Sequence, residues 1–165
     1  PQTENPALLF ALSAHLVLSS GYADAPNSPE IRLRRRQDLA QHVINSASIA
    51  AIAGVQLAEI ISTGKEAFDA RYRSGFSFSD LTANRVGIKL AQLAVESEAS
   101  ALAFQARVQK IEVDADLIPL VSGSRDGLTQ REFEASYDDR TSVEYRRRVD
   151  SIDSEVTALP LFATP

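Results

Sequence analysis

Val43 to Ala58 reads VINSASIAAIAGVQLA, sixteen consecutive residues without a charged side chain. A helix over this stretch has no face that clearly belongs in water. It is therefore covered on all sides by its own bundle, or in part by another subunit. Ser46, Ala50, Gly54 and Ala58 place a small residue at every fourth position, which lets a second helix approach closely. Ser46, Ala50, Gly54 and Leu57 are the candidate subunit-packing positions. A membrane span needs about 20 apolar residues; this run is shorter and is interrupted by Asn45, Ser46, Ser48 and Gln56. No membrane insertion is expected.

Working outward, Ser28, Pro29 and Glu30 form a helix-start signal. The helix they open should run to Ile61 and, past a break at Ser62 to Gly64, continue through KEAFDARYR to Arg73. Upstream, Asn5 and Pro6 start a helix over ALLFALSAHLVL, which stops near Gly21 before the loop GYADAPN. Downstream, Ser77 or Ser79 caps a helix with apolar positions at Leu81, Ile88, Leu93, Leu102, Val108 and Ile111, ended by Pro119. Thr129 and Glu132 make a capping box for a short helix, and Thr141 or Ser142 starts the last one.

That last helix, at about 142–158, carries Tyr145, Val149, Ile152, Val156 and Leu159 in one narrow seam. It suits a peripheral or partner-contacting arm. No strand-like alternation of any length occurs. The fold expected is all-α, a helical bundle of about four main helices around a long, largely uncharged central helix, in a single domain over 1–165.

The composition agrees with a folded, water-soluble chain: 165 residues, 44% apolar, 24% charged, net charge -5 and no cysteine. A disulfide framework and a cysteine metal site are excluded. Net acidity argues against coating duplex DNA with a uniformly basic surface. The cations are 14 Arg against 3 Lys, a bias that suits planar pairing with carboxylate or phosphate in partly dry contacts. ALLFALSAHLVLSSGYADA has the look of a secretory signal, but Glu4 rather than a cation precedes it. It reads as a helix of the mature domain, and Pro1 fits removal of an initiator methionine. The expected place of synthesis is a cytoplasm.

Catalytic chemistry is poorly supplied. His15 and His42 sit in apolar helical contexts with no Glu-x-x-His pattern, and read as packed or hydrogen-bonded helix residues rather than ligands. There is no Gly-rich phosphate loop and no Gly-x-Ser-x-Gly elbow. In SGSRDGLTQREFE, placing Asp126 and Gly127 at the fifth and sixth positions of a calcium loop puts Phe133 where the bidentate glutamate belongs. No enzyme activity, cofactor or metal is expected. Glu112, Asp114 and Asp116 form an acidic patch that, meeting another across subunits, would act as a pH- and calcium-sensitive brake on assembly.

IRLRRRQ (31–37) and YRRRVD (145–150) cluster the arginines. On helices, Glu144 and Asp150 can serve Arg146, Arg147 and Arg148, and Glu30 and Asp38 can serve Arg34. Arg32 and Arg36 then have only each other at that spacing, with Arg35 shared, near a helix N-terminus that disfavours cations. Projected at 100° per residue, Arg32, Arg35 and Arg36 continue the side of Leu39, Val43, Ala50, Gly54 and Leu57. They call for an anion, whether acidic side chains of this fold, a neighbouring subunit or nucleic-acid phosphate.

Three stretches are similar to coat proteins of rod-shaped plant RNA viruses, the tobacco mosaic type. SSGYADAP (19–26) resembles a segment before that family's first bundle helix. AFDARYR (67–73) resembles its Phe-Asp-x-Arg-x-Arg motif, and TQREFEAS (129–136) its Phe-Glu signature. The resemblance implies a four-helix subunit stacking helically on single-stranded RNA, with Arg71 and Arg73 near phosphates. Together these observations favour a self-assembling structural subunit of a virion, a homo-oligomer in contact with RNA. The alternative is a cytoplasmic helical adaptor or regulatory protein acting as a small oligomer.

Overall fold

The computed structural model describes residues 31–120 and 126–163. The helix expected over ALLFALSAHLVL, His15 within it, the Ser28-Pro29 start and the SSGYADAP stretch lie outside the described residues. Among those described the chain is all-α: α1 (Gln37–Ala53), α2 (Val55–Tyr72), α3 (Phe78–Val95), α4 (Glu98–Val108), α5 (Asp114–Leu117), α6 (Gln130–Tyr137) and α7 (Val143–Thr157). No helix among them is long and apolar enough to cross a membrane.

The uncharged run is not one helix. Gly54, at φ 91 and ψ 158, ends α1 and starts α2, a conformation that only glycine adopts cheaply. The long central helix expected through Val43–Ala58 is thus two helices meeting at Gly54. Downstream of Ser62 to Gly64, where a break was expected, α2 runs uninterrupted to Tyr72. The helix expected to extend from the Ser77 region to Pro119 is also divided. It stops at Val95, and Ser97 caps α4 by accepting from Ser100 N. A short α5 follows before Pro119.

Caps fall where side-chain chemistry places them. Ser77 accepts from Asp80 N, Ser142 from Tyr145 N, and Thr129 and Glu132 form the reciprocal capping box. The closest helix packing is α1 on α3, and small residues make it possible. A Cβ on Gly87 of α3 would lie 2.1 Å from Val43 O and 2.2 Å from Ser46 Oγ. Ala47, Ala83 and Ala91 are fully buried around this crossing. The ridge of Ser46 and Ala50 is therefore filled from within the chain, by α3.

The other half of the core is aromatic. Phe76, Phe78, Phe133, Tyr137 and Tyr145 pack with ring centroids from 4.7 Å (Phe76–Phe133) to 6.3 Å (Tyr137–Tyr145), close enough for edge and tilted contacts to add to their burial. The seam of α7 is seated in this core, with Ile152 fully buried and Tyr145, Val156 and Leu159 beside it. Along this seam the last helix packs against the core of the bundle.

Candidate functional site

Residues 31–36 are not helical, which changes the geometry of the arginine cluster. Leu33 and Arg36 exchange backbone hydrogen bonds of 2.9 and 3.0 Å, with Arg34 (φ 54) and Arg35 (φ 64) at the turn between them. Both turn residues occupy the left-handed region that bulky side chains enter at a cost. Contacts from α5 and the residue after it offset it: Arg34 N donates to Asp114 Oδ2 at 2.6 Å and Arg34 Nη2 donates to Ile118 O at 2.8 Å. The helical projection that aligned Arg32, Arg35 and Arg36 with the buried seam does not apply. Arg32 and Arg35 are exposed on this turn.

Arg36 takes a separate path. It is the extended residue before α1 (φ -113, ψ 126), so Asp38, two positions on, lies within reach as it would not on a helix. The guanidinium donates to Asp38 (Nη2 at 2.7 Å), Asp80 (Nη2 at 3.2 Å) and Asp126 (Nη1 at 2.7 Å). Its anions come from α1, the first turn of α3 and the loop before α6. Of the sources left open by the sequence, acidic side chains of this fold meet the charge of Arg36.

Asp126 is delivered by a close backbone crossing. Phe76 and Leu128 pair through backbone bonds of 2.7 and 2.9 Å, and a Cβ on Gly75 would stand 2.4 Å from the Gly127 carbonyl carbon. Asp126 Oδ1 then accepts from Ser77 Oγ at 3.0 Å and Ser79 N at 3.1 Å, at the N-terminus of α3. Burial would raise the Asp126 pKa, but Arg36, Ser79 and Ser77 outweigh it and hold the carboxyl below its ordinary value. The Asp38 carboxyl is held down chiefly by its bond to Arg36.

Behind Arg36 the cleft reaches a buried charged cluster. Its walls, enclosing about 700 Å³, include Arg36, Asp38, His42, Lys65, Asp80 and Asp126. His42 on α1 meets Asn84 Oδ1 at 3.1 Å through Nδ1 and Asp80 Oδ2 at 3.3 Å through Nε2. Burial opposes protonation of His42, and Asp80 overrides it, so its pKa is raised. Glu66 on α2 is fully buried. Its Oε2 accepts from Ser77 N at 3.3 Å, while Oε1 has no hydrogen-bond partner. Burial first, and the Asp80 charge second, push Glu66 up to about 7. Ligand atoms of His42, Glu66 and Asp80 all lie within 4.8 Å of one another, so these three could hold a metal ion.

No known relative supplies a function. No protein-family model, no curated protein and no solved structure matches this chain.

The remaining positions singled out in the sequence are dispersed. Arg71 lies over the Tyr72 ring at 5.4 Å and Arg73 over Phe68 at 5.8 Å, both exposed at the end of α2. Ser46 and Ala50 are buried, Gly54 is the exposed helix junction and Leu57 is exposed. In the acidic patch, Asp114 holds Arg34 N, and Asp116 Oδ2 accepts from Glu112 N and Val113 N at 3.0 and 3.1 Å, capping α5. Two of its three carboxylates thus have local structural work. In the second arginine triplet, Arg148 reaches Glu155 at 3.6 Å and lies over Phe78 at 5.8 Å.

Sequence reasoning missed the His42, Glu66, Asp80 cluster because its members are distant in the chain and fit no spacing motif. One signal was present. Glu66 and Asp69 fall on the same face of α2 as Ala58 and Ser62, so carboxylates occupy a face marked as buried by small residues.

Proposed function

We propose that the chain is a self-assembling structural subunit, of the kind that builds a virion coat or a virion-associated layer, and that its copies meet through the apolar face of α2. The carrying observation is the inverted placement of side chains on this helix. Its buried face is Ala58, Ser62, Glu66 and Asp69. Its apolar residues point outward: Leu57 is 44% exposed, Ile60 69%, Ile61 45%, Phe68 50% and Tyr72 63%.

Single exposed apolar residues are ordinary, whereas a contiguous stripe marks an interaction surface. This stripe spans an arc of about 120° at 100° per residue. Gly64 lies near its centre, with nothing within 4 Å of the position a Cβ would take, so a second backbone could approach there. Arg71, in the last turn, is the one charged residue inside this arc. The resemblance to rod-type coat proteins points to the same mode of action, burial of helices between copies. Arg71 at the C-terminal end of the stripe and Arg73 just past it, with the exposed Arg32 and Arg35 at the 31–36 turn, are the cations this reading sets against single-stranded RNA. Arg36 leaves that set because three carboxylates already meet it.

Size-exclusion chromatography with light scattering, with and without single-stranded RNA and at two salt concentrations, tests the proposal. Burying the exposed part of Ile60 contributes about 1–2 kcal/mol per copy, so Ile60→Glu should weaken association at least 30-fold with helicity unchanged. A monomer under all conditions would overturn the reading. A small oligomer of fixed size, indifferent to RNA and salt, would replace the coat with the regulatory adaptor.

A further inference from the structure

We propose that His42, Glu66 and Asp80 form a binding site for one divalent transition-metal ion of the zinc type, tying α1, α2 and α3 together at the floor of the cleft. The ligand set is one imidazole nitrogen and two carboxylates, a combination suited to zinc. With the imidazole neutral, its net charge of about -2 balances a divalent ion.

Three features favour a cation over a closed hydrogen-bond network. First, Glu66 Oε1 is buried without a hydrogen-bond partner, a costly state for a carboxylate oxygen. Lys65 Nζ stands 3.7 Å from it, beyond hydrogen-bond distance, and is held instead by Asp69 Oδ2 at 2.6 Å. Second, with Asn84 Oδ1 accepting at Nδ1, the neutral His42 ring turns a lone pair at Nε2 toward Asp80 Oδ2, also an acceptor. A metal ion between two such atoms resolves the conflict. Third, their separation is 3.3 Å, and two ligands about 2.0–2.1 Å from a tetrahedral ion lie roughly 3.3 Å apart.

The outer contacts have the pattern that orients metal ligands. Asn84 fixes the His42 ring, Ser77 N holds Glu66 Oε2, and Arg36 holds Asp80 Oδ1, leaving Oδ2 for the site. His42 and Asp80 line the cleft, so water from it completes the coordination. Binding releases whatever protons His42 and Glu66 carry.

The test is zinc titration of the full-length protein after chelation, followed by calorimetry and by the shift in thermal midpoint. Expected is one zinc ion per chain, with the midpoint raised, and an unchanged result for His15→Gln, which removes the other histidine in the sequence. His42→Gln and Glu66→Gln should each weaken binding at least tenfold. Glu66→Gln relieves a buried charge and should remain folded by circular dichroism, so loss of zinc binding there reports the ligand itself. Absence of stoichiometric binding would overturn the site, leaving a protonated His42 paired with Asp80. So would binding that survives both substitutions. Neither result bears on self-association through α2, which is read from particle size.

Discussion

Gly87→Ala adds one methyl group at the crossing of α1 and α3, and its consequence can be worked from distances. The new Cβ would stand 2.1 Å from Val43 O and 2.2 Å from Ser46 Oγ, against an ordinary contact of about 3.4 Å or more. Ser46 cannot turn away freely, since its hydroxyl donates to His42 O at 2.7 Å and to Val43 O at 3.1 Å. Val43 O is main chain, so the two helices must part by roughly 1 Å. That separation would loosen Ala47, Ala83 and Ala91, which are fully buried. Overpacking costs about 1–3 kcal/mol, and the upper part of that range applies because the obstacle is backbone. Alanine regains about 1 kcal/mol of helix propensity over glycine, for a net loss of about 1–2 kcal/mol.

Gly64→Ala is the matched control. It is a helical glycine with nothing within 4 Å of the added Cβ, and should gain about 0.4–1 kcal/mol. For a chain of this size the thermal midpoint should fall by about 2–8 °C for Gly87→Ala and rise by about 1–4 °C for Gly64→Ala. Both are measured by circular dichroism at a concentration where the wild type is monomeric. If Gly87→Ala melts at or above the wild type, the α1–α3 contact is not as close as described and the account of the small-residue ridge fails.

The arginine cleft yields two further expectations. Asp126 has a pKa below its ordinary 3.8 in the folded state, so its contribution to stability is complete above that value and is lost as pH falls through the folded pKa. Asp126→Asn should therefore lower the urea midpoint at pH 6 and do so progressively less toward pH 2.5; an equal deficit at both pH values would refute the ionic account. Replacing Arg36 with glutamine leaves Asp38, Asp80 and Asp126 facing one another. Because the Arg36 side chain is 37% exposed, the loss should be about 1–2 kcal/mol. Added salt should shrink that loss, and a salt-independent loss would point to packing of the arginine stem instead.

The local elements were written in the sequence wherever a short-range rule governs them. Ser77, Ser142 and the Thr129–Glu132 box cap helices because a cap needs only a side chain within three residues of a free N–H. The seam of α7 follows from helical periodicity, and all-α class from the lack of alternation. Two helix ends were legible but outvoted: Gly54 inside an apolar run and Ser97 inside an alanine-rich one, where hydrophobic continuity argued for extending the helix.

What no local rule contained was the pairing of distant charges. Helical spacing alone would line the arginine run up with the seam of α1, yet Leu33 to Arg36 form a turn held by Asp114 and Ile118, 80 and 84 residues from Arg34 in sequence. Only that turn lets Asp38 meet Arg36, and only the Gly75–Gly127 crossing brings in Asp126. The same holds for α2. Its sequence names the apolar residues, but which side faces inward was decided by α1 and α3, which bury Ala58, Ser62, Glu66 and Asp69 and leave Leu57, Ile60, Ile61, Phe68 and Tyr72 outside. The sequence alone determined the local elements, since caps and periodicity act over one or two turns. Tertiary structure decided the charge network and the exposed face, since Coulombic pairing and burial depend on which distant surfaces meet.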